Sequence, residues 1–156
     1  MLLLVHVALI LYALLAGVFV VIGFLNGGRS QLWTASFLAA TILTSVTGYF
    51  FPSSTFGPPQ IVGVVSLIAL AVAVFAFYVR HLTGPWRITY VTTAVLAFYL
   101  NAFVGVVQAF DKIAFLHVLA PKGSGPAFAL AQIALLALFV FLGFRAAKRF
   151  QREPRT

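Results

Sequence analysis

Apolar residues fall in five long runs, Leu2–Leu25, Leu32–Phe51, Ile61–Val79, Trp86–Phe110 and Ala127–Phe144. Each is close to the roughly 20 residues that a helix needs to cross the hydrocarbon core of a bilayer. No strand alternation runs through them, and backbone in lipid must satisfy its own hydrogen bonds, so the runs predict helices. The breaks between them carry turn chemistry: Asn26-Gly27-Gly28, Pro52-Ser53-Ser54 with Gly57-Pro58-Pro59, Thr83-Gly84-Pro85, and Pro121 to Pro126 around Gly123 and Gly125. Glycine permits left-handed backbone and proline ends the helical ladder. The expected fold is an all-α integral membrane bundle of five transmembrane helices over residues 1–144, followed by a basic tail over 145–156. The alternative has four spans plus a re-entrant or interfacial segment, with Asp111–Pro126 continuing the fourth helix or turning back into the membrane. The first run lacks a basic start and a small-residue cleavage site, so it reads as a retained span rather than a cleaved signal.

Composition agrees with a membrane chain. Of the 156 residues, 63% are hydrophobic and 8% charged, against about a quarter charged in soluble domains. The absence of cysteine removes disulfides, thiolate metal sites and cysteine nucleophiles. A net charge of +8 would suggest nucleic acid if it were spread out, but five of the ten Lys and Arg residues lie in the last twelve positions. That concentration points to a lipid surface and away from nucleic acid.

Basic residues also orient the chain, because they accumulate on the cytoplasmic side. With five spans, Arg29, Arg80, Arg87, Arg145, Lys148, Arg149, Arg152 and Arg155 share one side, and Lys112 and Lys122 the other. Eight against two places the C-terminus in the cytoplasm and the N-terminus outside. Trp33 and Trp86 fall at cytoplasmic span ends, where amphipathic rings are favoured. Arg145, Lys148, Arg149 and Arg152 recur at three- and four-residue spacing, as a helical face toward anionic headgroups or as a stop-transfer anchor.

Two stripes of small and polar residues are candidate sites. Thr34, Thr41, Thr44, Ser45 and Gly48 share a face of the second run, and Ala94, Ala97, Asn101, Gly105, Gln108 and Lys112 a face of the fourth. Such faces let membrane helices approach closely, so they read first as helix–helix seams and second as a ligand path. By depth, His6, Thr47, Tyr49, Asn101, Gln108, Asp111, His117 and Gln132 all lie in the outer half. Intramembrane polar groups are functional candidates, and the set suggests a pocket open to the outside, against simple bonding among themselves and to water. No cofactor is expected, since a lone histidine near a helix end commonly bonds a backbone carbonyl or water; the alternative is a b-type haem with His6 and His117 as its candidate axial ligands. A metal site is not expected, since two histidines and one carboxylate are too few. Asp111 and Glu153 are the only acids and lie on opposite sides, which excludes paired carboxylates, and no serine sits in a nucleophile pattern.

The segments TSVTGYFFP (Thr44–Pro52), YLNAFVGVVQAF (Tyr99–Phe110) and HVLAP (His117–Pro121) resemble small multispanning inner-membrane proteins of proteobacteria. That resemblance implies a bacterial inner membrane, and the group has no assigned function to carry over. A likeness to small cytochrome-type membrane proteins rests on His6 alone and lacks their several helix-centred histidines. The leading functional expectation is a non-catalytic membrane protein, either an accessory or assembly subunit or a small-ligand or lipid-binding bundle. It would partner the bilayer, anionic lipid at the tail, and a further copy or a membrane complex. The alternatives are a haem- or quinone-associated redox protein and a small-solute channel or carrier.

Overall fold

The computed structural model describes residues 2–50, 57–121 and 125–150, and among these there is no strand. Six α-helices follow one another: α1 (Leu2–Leu25), α2 (Gln31–Gly48), α3 (Pro58–Val74), α4 (Trp86–Lys112), α5 (Ala114–Leu119) and α6 (Pro126–Phe150), with a π-helical turn, Phe75–Val79, continuing α3. Four stretches are long and apolar enough to cross a membrane: Leu4–Leu25, Pro58–Val79, Trp86–Lys112 and Pro126–Phe150. α2 falls outside that set. It has 18 residues, and Gln31, Thr34, Ser36, Thr41, Thr44, Ser45 and Thr47 lower its apolarity.

Local chemistry sets the ends. Gly27 at φ +79 terminates α1, and the Gly28 N–H returns to the Gly23 carbonyl at 3.0 Å. The Ser30 hydroxyl accepts from the Trp33 N–H and caps α2. Pro58 and Pro59 open α3, where a missing N–H costs nothing, and the Gly57 N–H donates to Gln60 Oε1 at 3.0 Å.

Several boundaries differ from expectation. α6 runs to Phe150, so the helix continues past Phe144 and carries Arg145, Lys148 and Arg149; strong helix formers continue past the apolar run. α4 reaches Lys112, and Ile113 in extended backbone then separates it from the short α5. Residues 111–121 are therefore neither a continued fourth helix nor a plain loop. The expected end of the second run at Phe51, like Arg152, lies outside the described residues.

The helices close a ring in the order α1, α2, α3, α4, α6, with α1 also packed across it on α4 and α5 packed on α4. α1 and α2 are antiparallel: Phe19 stacks on Trp33 near one end, at 4.3 Å and 17° between ring planes, and His6 bonds Thr47 near the other. Two aromatic layers fill the interior. Near the Trp33 end, Phe24 meets Tyr90 and Phe150 edge-on at 5.5 and 5.3 Å, and the Tyr90 hydroxyl bonds Thr34 Oγ1 at 3.1 Å. At mid-depth Phe98 stands between Phe37 and Phe139, at 6.0 and 4.9 Å. Large apolar side chains such as Leu4, Leu11, Ile68, Leu130 and Val140 are exposed around the outside, the reverse of a soluble surface and the form a lipid-facing one takes.

Candidate functional site

The expected polar residues separate into a buried set and an exposed set. Asn101 and Gln132 are turned toward the bundle, Asn101 with 7% of its surface exposed. Gln132 Nε2 reaches the Phe103 carbonyl at 3.4 Å. His6 Nδ1 and Thr47 Oγ1 are 2.7 Å apart, and the Thr47 hydroxyl also lies within 2.7 Å of the Leu43 carbonyl. Gln108, Asp111 and His117 are exposed instead. Gln108 stands about two turns beyond Asn101 on a face of α4 that is exposed there, while Phe110 on another face is buried against Phe128 of α6. Among the described residues Asp111 has only its neighbour Lys112 as an ion-pair partner, at 3.9 Å with both side chains 60% exposed. His117 lies on α5, which packs on α4.

The α2 stripe faces inward as expected, with Thr34, Thr41 and Thr44 buried. α2 and α4 run the same way, and Thr34 is bonded to Tyr90. Counting ten residues along from that bond brings Thr44 level with Leu100 and Asn101. Thr41 Oγ1, Thr44 Oγ1, Asn101 Nδ2 and Gln132 Oε1 are buried without a hydrogen-bond partner among the described residues. By contrast, Thr89, Thr92 and Thr93 all donate back to a carbonyl four residues earlier. None of these amides and hydroxyls titrates near neutrality, so this layer can hold a hydrogen-bonding guest but cannot exchange protons with it.

The opposite end of the bundle carries charge. Arg29, Arg80, Arg87, Arg145, Lys148 and Arg149 gather there, and the protein holds them without a single carboxylate among the described residues of that end. Asp111 lies at the other end of α4, and Glu153 lies outside the described residues. Rings serve instead: Arg29 stands over Phe77 at 5.4 Å, Arg80 over Trp86 at 5.3 Å, Arg87 over Phe150 at 5.5 Å, Arg145 over Phe141 at 5.5 Å and Lys148 over Phe144 at 4.2 Å. Arg149 Nη1 donates to the Leu25 carbonyl at 2.9 Å, satisfying an acceptor left over at the end of α1. Ring quadrupoles attract a cation without neutralising it. Among the described residues these six positive charges meet no countercharge.

Two clefts open between them. One, of about 240 Å³, lies between the ends of α1 and α6 and is lined by Leu25, Asn26, Phe141, Leu142, Arg145 and Arg149. The other, of about 230 Å³, is lined by Arg29, Gln31, Phe77, Tyr78 and His81. The expected headgroup face of Arg145, Lys148, Arg149 and Arg152 thus resolves differently: Arg145 and Arg149 line a cleft, Lys148 lies over its own ring, and Arg152 lies outside the described residues. Arg29 and His81 had no part in the expected site. Their signal in the sequence is faint, a basic residue and a histidine each beside a turn, and only folding brings them together. No family model, curated protein sequence or solved structure matches this chain.

Proposed function

We propose that the protein is a non-catalytic five-span bundle of a bacterial inner membrane whose basic end sits in the cytoplasmic leaflet and binds anionic phospholipid headgroups. The observation that carries this reading is the set of six basic side chains held by aromatic rings and one carbonyl, with no carboxylate beside them among the described residues. Anionic headgroups supply the missing countercharge, each basic residue near such a surface contributing about 1 kcal/mol. The eight-to-two division of Lys and Arg supports the orientation.

The fifth span in this reading is α2. It runs alongside α1 from the Phe19–Trp33 stack to the His6–Thr47 bond. Its 18 residues extend about 27 Å, close to the ~30 Å of a hydrocarbon core. Thr34, Thr41 and Thr44 face the interior while Leu32, Leu43 and Val46 are exposed, so three of the polar residues that lower its apolarity are turned away from lipid.

Native mass spectrometry of the purified protein tests the lipid reading. Phosphatidylglycerol should be retained in preference to phosphatidylcholine, and Arg145→Gln with Arg149→Gln should weaken that preference about tenfold or more, since two such charges are removed. Equal retention of the two lipids by the unaltered protein would refute it.

A further inference from the structure

The cleft of about 230 Å³ at the basic end is built from two separate stretches of chain, 29–31 and 77–81. Arg29 comes from the link between α1 and α2, Gln31 from the first residue of α2, and Phe77 and Tyr78 from the π-helical turn. His81 comes from the turn that follows. The guanidinium, the carboxamide, the imidazole and the phenol all offer hydrogen-bond donors, and no carboxylate lines the cleft. Phe77, buried with 6% exposure, lies beneath the Arg29 guanidinium.

The backbone that presents His81 is unusual. The Arg80 N–H bonds the Phe75 carbonyl at 2.9 Å and the Leu82 N–H bonds the Ala76 carbonyl at 3.1 Å. His81 and Leu82 then both take positive φ, +46 and +57, alone among the described non-glycine residues. Bulky side chains in the left-handed region are disfavoured by contact between Cβ and the backbone. For Leu82 the compensation is visible, because its side chain is 5% exposed and joins the core. His81 has no such compensation: it is exposed, and its ring makes no hydrogen bond to a described residue. Three positions later the same loop places Gly84 at φ +54 in open space, the residue expected where only the turn matters. π-Helical turns and strained backbone both gather at functional sites.

We infer that the cleft lined by Arg29, Gln31, Tyr78 and His81 is a binding site for a phosphate group, with His81 held in left-handed backbone to face it. The inference rests on the reading that the basic end engages anions, and it adds the ligand class and the residues that recognise it. Its volume lies below the about 300–1,000 Å³ of pockets for drug-sized ligands, which suits a phosphate with little attached. Arginine and histidine donors to an anion make charge-assisted hydrogen bonds, the stronger kind.

The test uses the full chain in a neutral detergent. Binding is titrated with short-chain phosphatidylglycerol against short-chain phosphatidylcholine, and with inorganic phosphate against chloride at matched ionic strength. The unaltered protein should respond to phosphatidylglycerol, to inorganic phosphate, or to both. A response to both makes free phosphate sufficient, and a response to the lipid alone makes the site one for headgroups. His81→Gly should raise the melting temperature without ligand by about 2–4 °C, by relieving the left-handed backbone. The same change should weaken binding about tenfold, and Arg29→Gln should weaken it similarly without the gain in stability. Stability gained in His81→Gly with affinity unchanged overturns the inference. So does a phosphatidylglycerol response that only the Arg145→Gln, Arg149→Gln protein loses, although the reading of the basic end then stands. Absence of any preference for phosphatidylglycerol over phosphatidylcholine ends the lipid reading, and absence of a response to inorganic phosphate as well ends the inference with it.

Discussion

Gly17→Leu is expected to break the bundle, lowering the melting temperature in detergent by more than about 10 °C or preventing recovery of a single monodisperse species. A Cβ at position 17 would stand 2.6, 2.8 and 2.9 Å from three atoms of the Phe98 ring, distances that real contacts do not tolerate. The ring cannot swing aside, because Phe98 is 7% exposed and is braced by Phe37 and Phe139. α1 would have to move off α4, where it packs across the ring of helices. Even alanine should cost about 1–3 kcal/mol, the usual penalty for overfilling a packed interior. Gly105 and Gly48, the small residues most conspicuous in the polar stripes, should be more forgiving. A Cβ there meets Leu14 Cδ1 at 3.7 Å and His6 Cε1 at 3.6 Å, ordinary contacts that accept a methyl group. The expected order of sensitivity to alanine is therefore Gly17 well ahead of Gly105 and Gly48. Equal melting temperatures for the three variants would show that α1 and α4 are not in this contact.

Phe24→Ala is the second large effect, about 3–5 kcal/mol of lost stability. Phe24 is 1% exposed and joins three helices at once, its ring against Tyr90 of α4 and Phe150 of α6. In a bilayer the hydrophobic effect does not drive helices together, so the loss comes from packing: an empty space that neighbouring rings cannot fill. Phe19→Ala supplies the contrast. Phe19 stacks on Trp33 but is 39% exposed, so its removal should cost less than half as much. Reversible unfolding in mixed micelles, read by near-ultraviolet circular dichroism, compares the two. A smaller loss at Phe24 than at Phe19 would contradict the aromatic layer described here.

The helices and their breaks were legible because they depend on neighbours in sequence. Asn26-Gly27-Gly28 marks the end of α1, and Pro58-Pro59 the start of α3, by backbone chemistry that needs no partner. The inward face of α2 was legible for the same reason, since Thr34, Thr41 and Thr44 recur at helical spacing. Gly17 was not, because its meaning comes from Phe98, which lies 81 positions further along the chain and reaches it only across the ring of helices. The α4 stripe was half legible: Ala94, Ala97 and Asn101 are buried, while Gln108 keeps the spacing but is exposed. Helical periodicity reports which face a residue occupies and is silent about which length of that face a neighbouring helix covers. The second cleft was hidden further, since a π-helical turn adds a residue to the helical register and swings His81 beside Arg29. The countercharge pattern was visible only as composition. Two acids among ten basic residues implied uncompensated charge, but not that rings would hold it.

The central claim is a five-span chain whose basic end faces the cytoplasm, and single introduced cysteines test it most directly, because the chain has none of its own. Intact cells would be treated with a membrane-impermeant maleimide before and after permeabilisation. Ser54→Cys and Ser124→Cys should react from outside, and Asn26→Cys and Thr156→Cys only after permeabilisation. That pattern puts α2 across the membrane, since Asn26 and Ser54 flank it, and puts the C-terminal tail inside. Reaction of Asn26→Cys and Ser54→Cys from the same side would contradict the five-span bundle, and reaction of Thr156→Cys in intact cells would contradict its orientation.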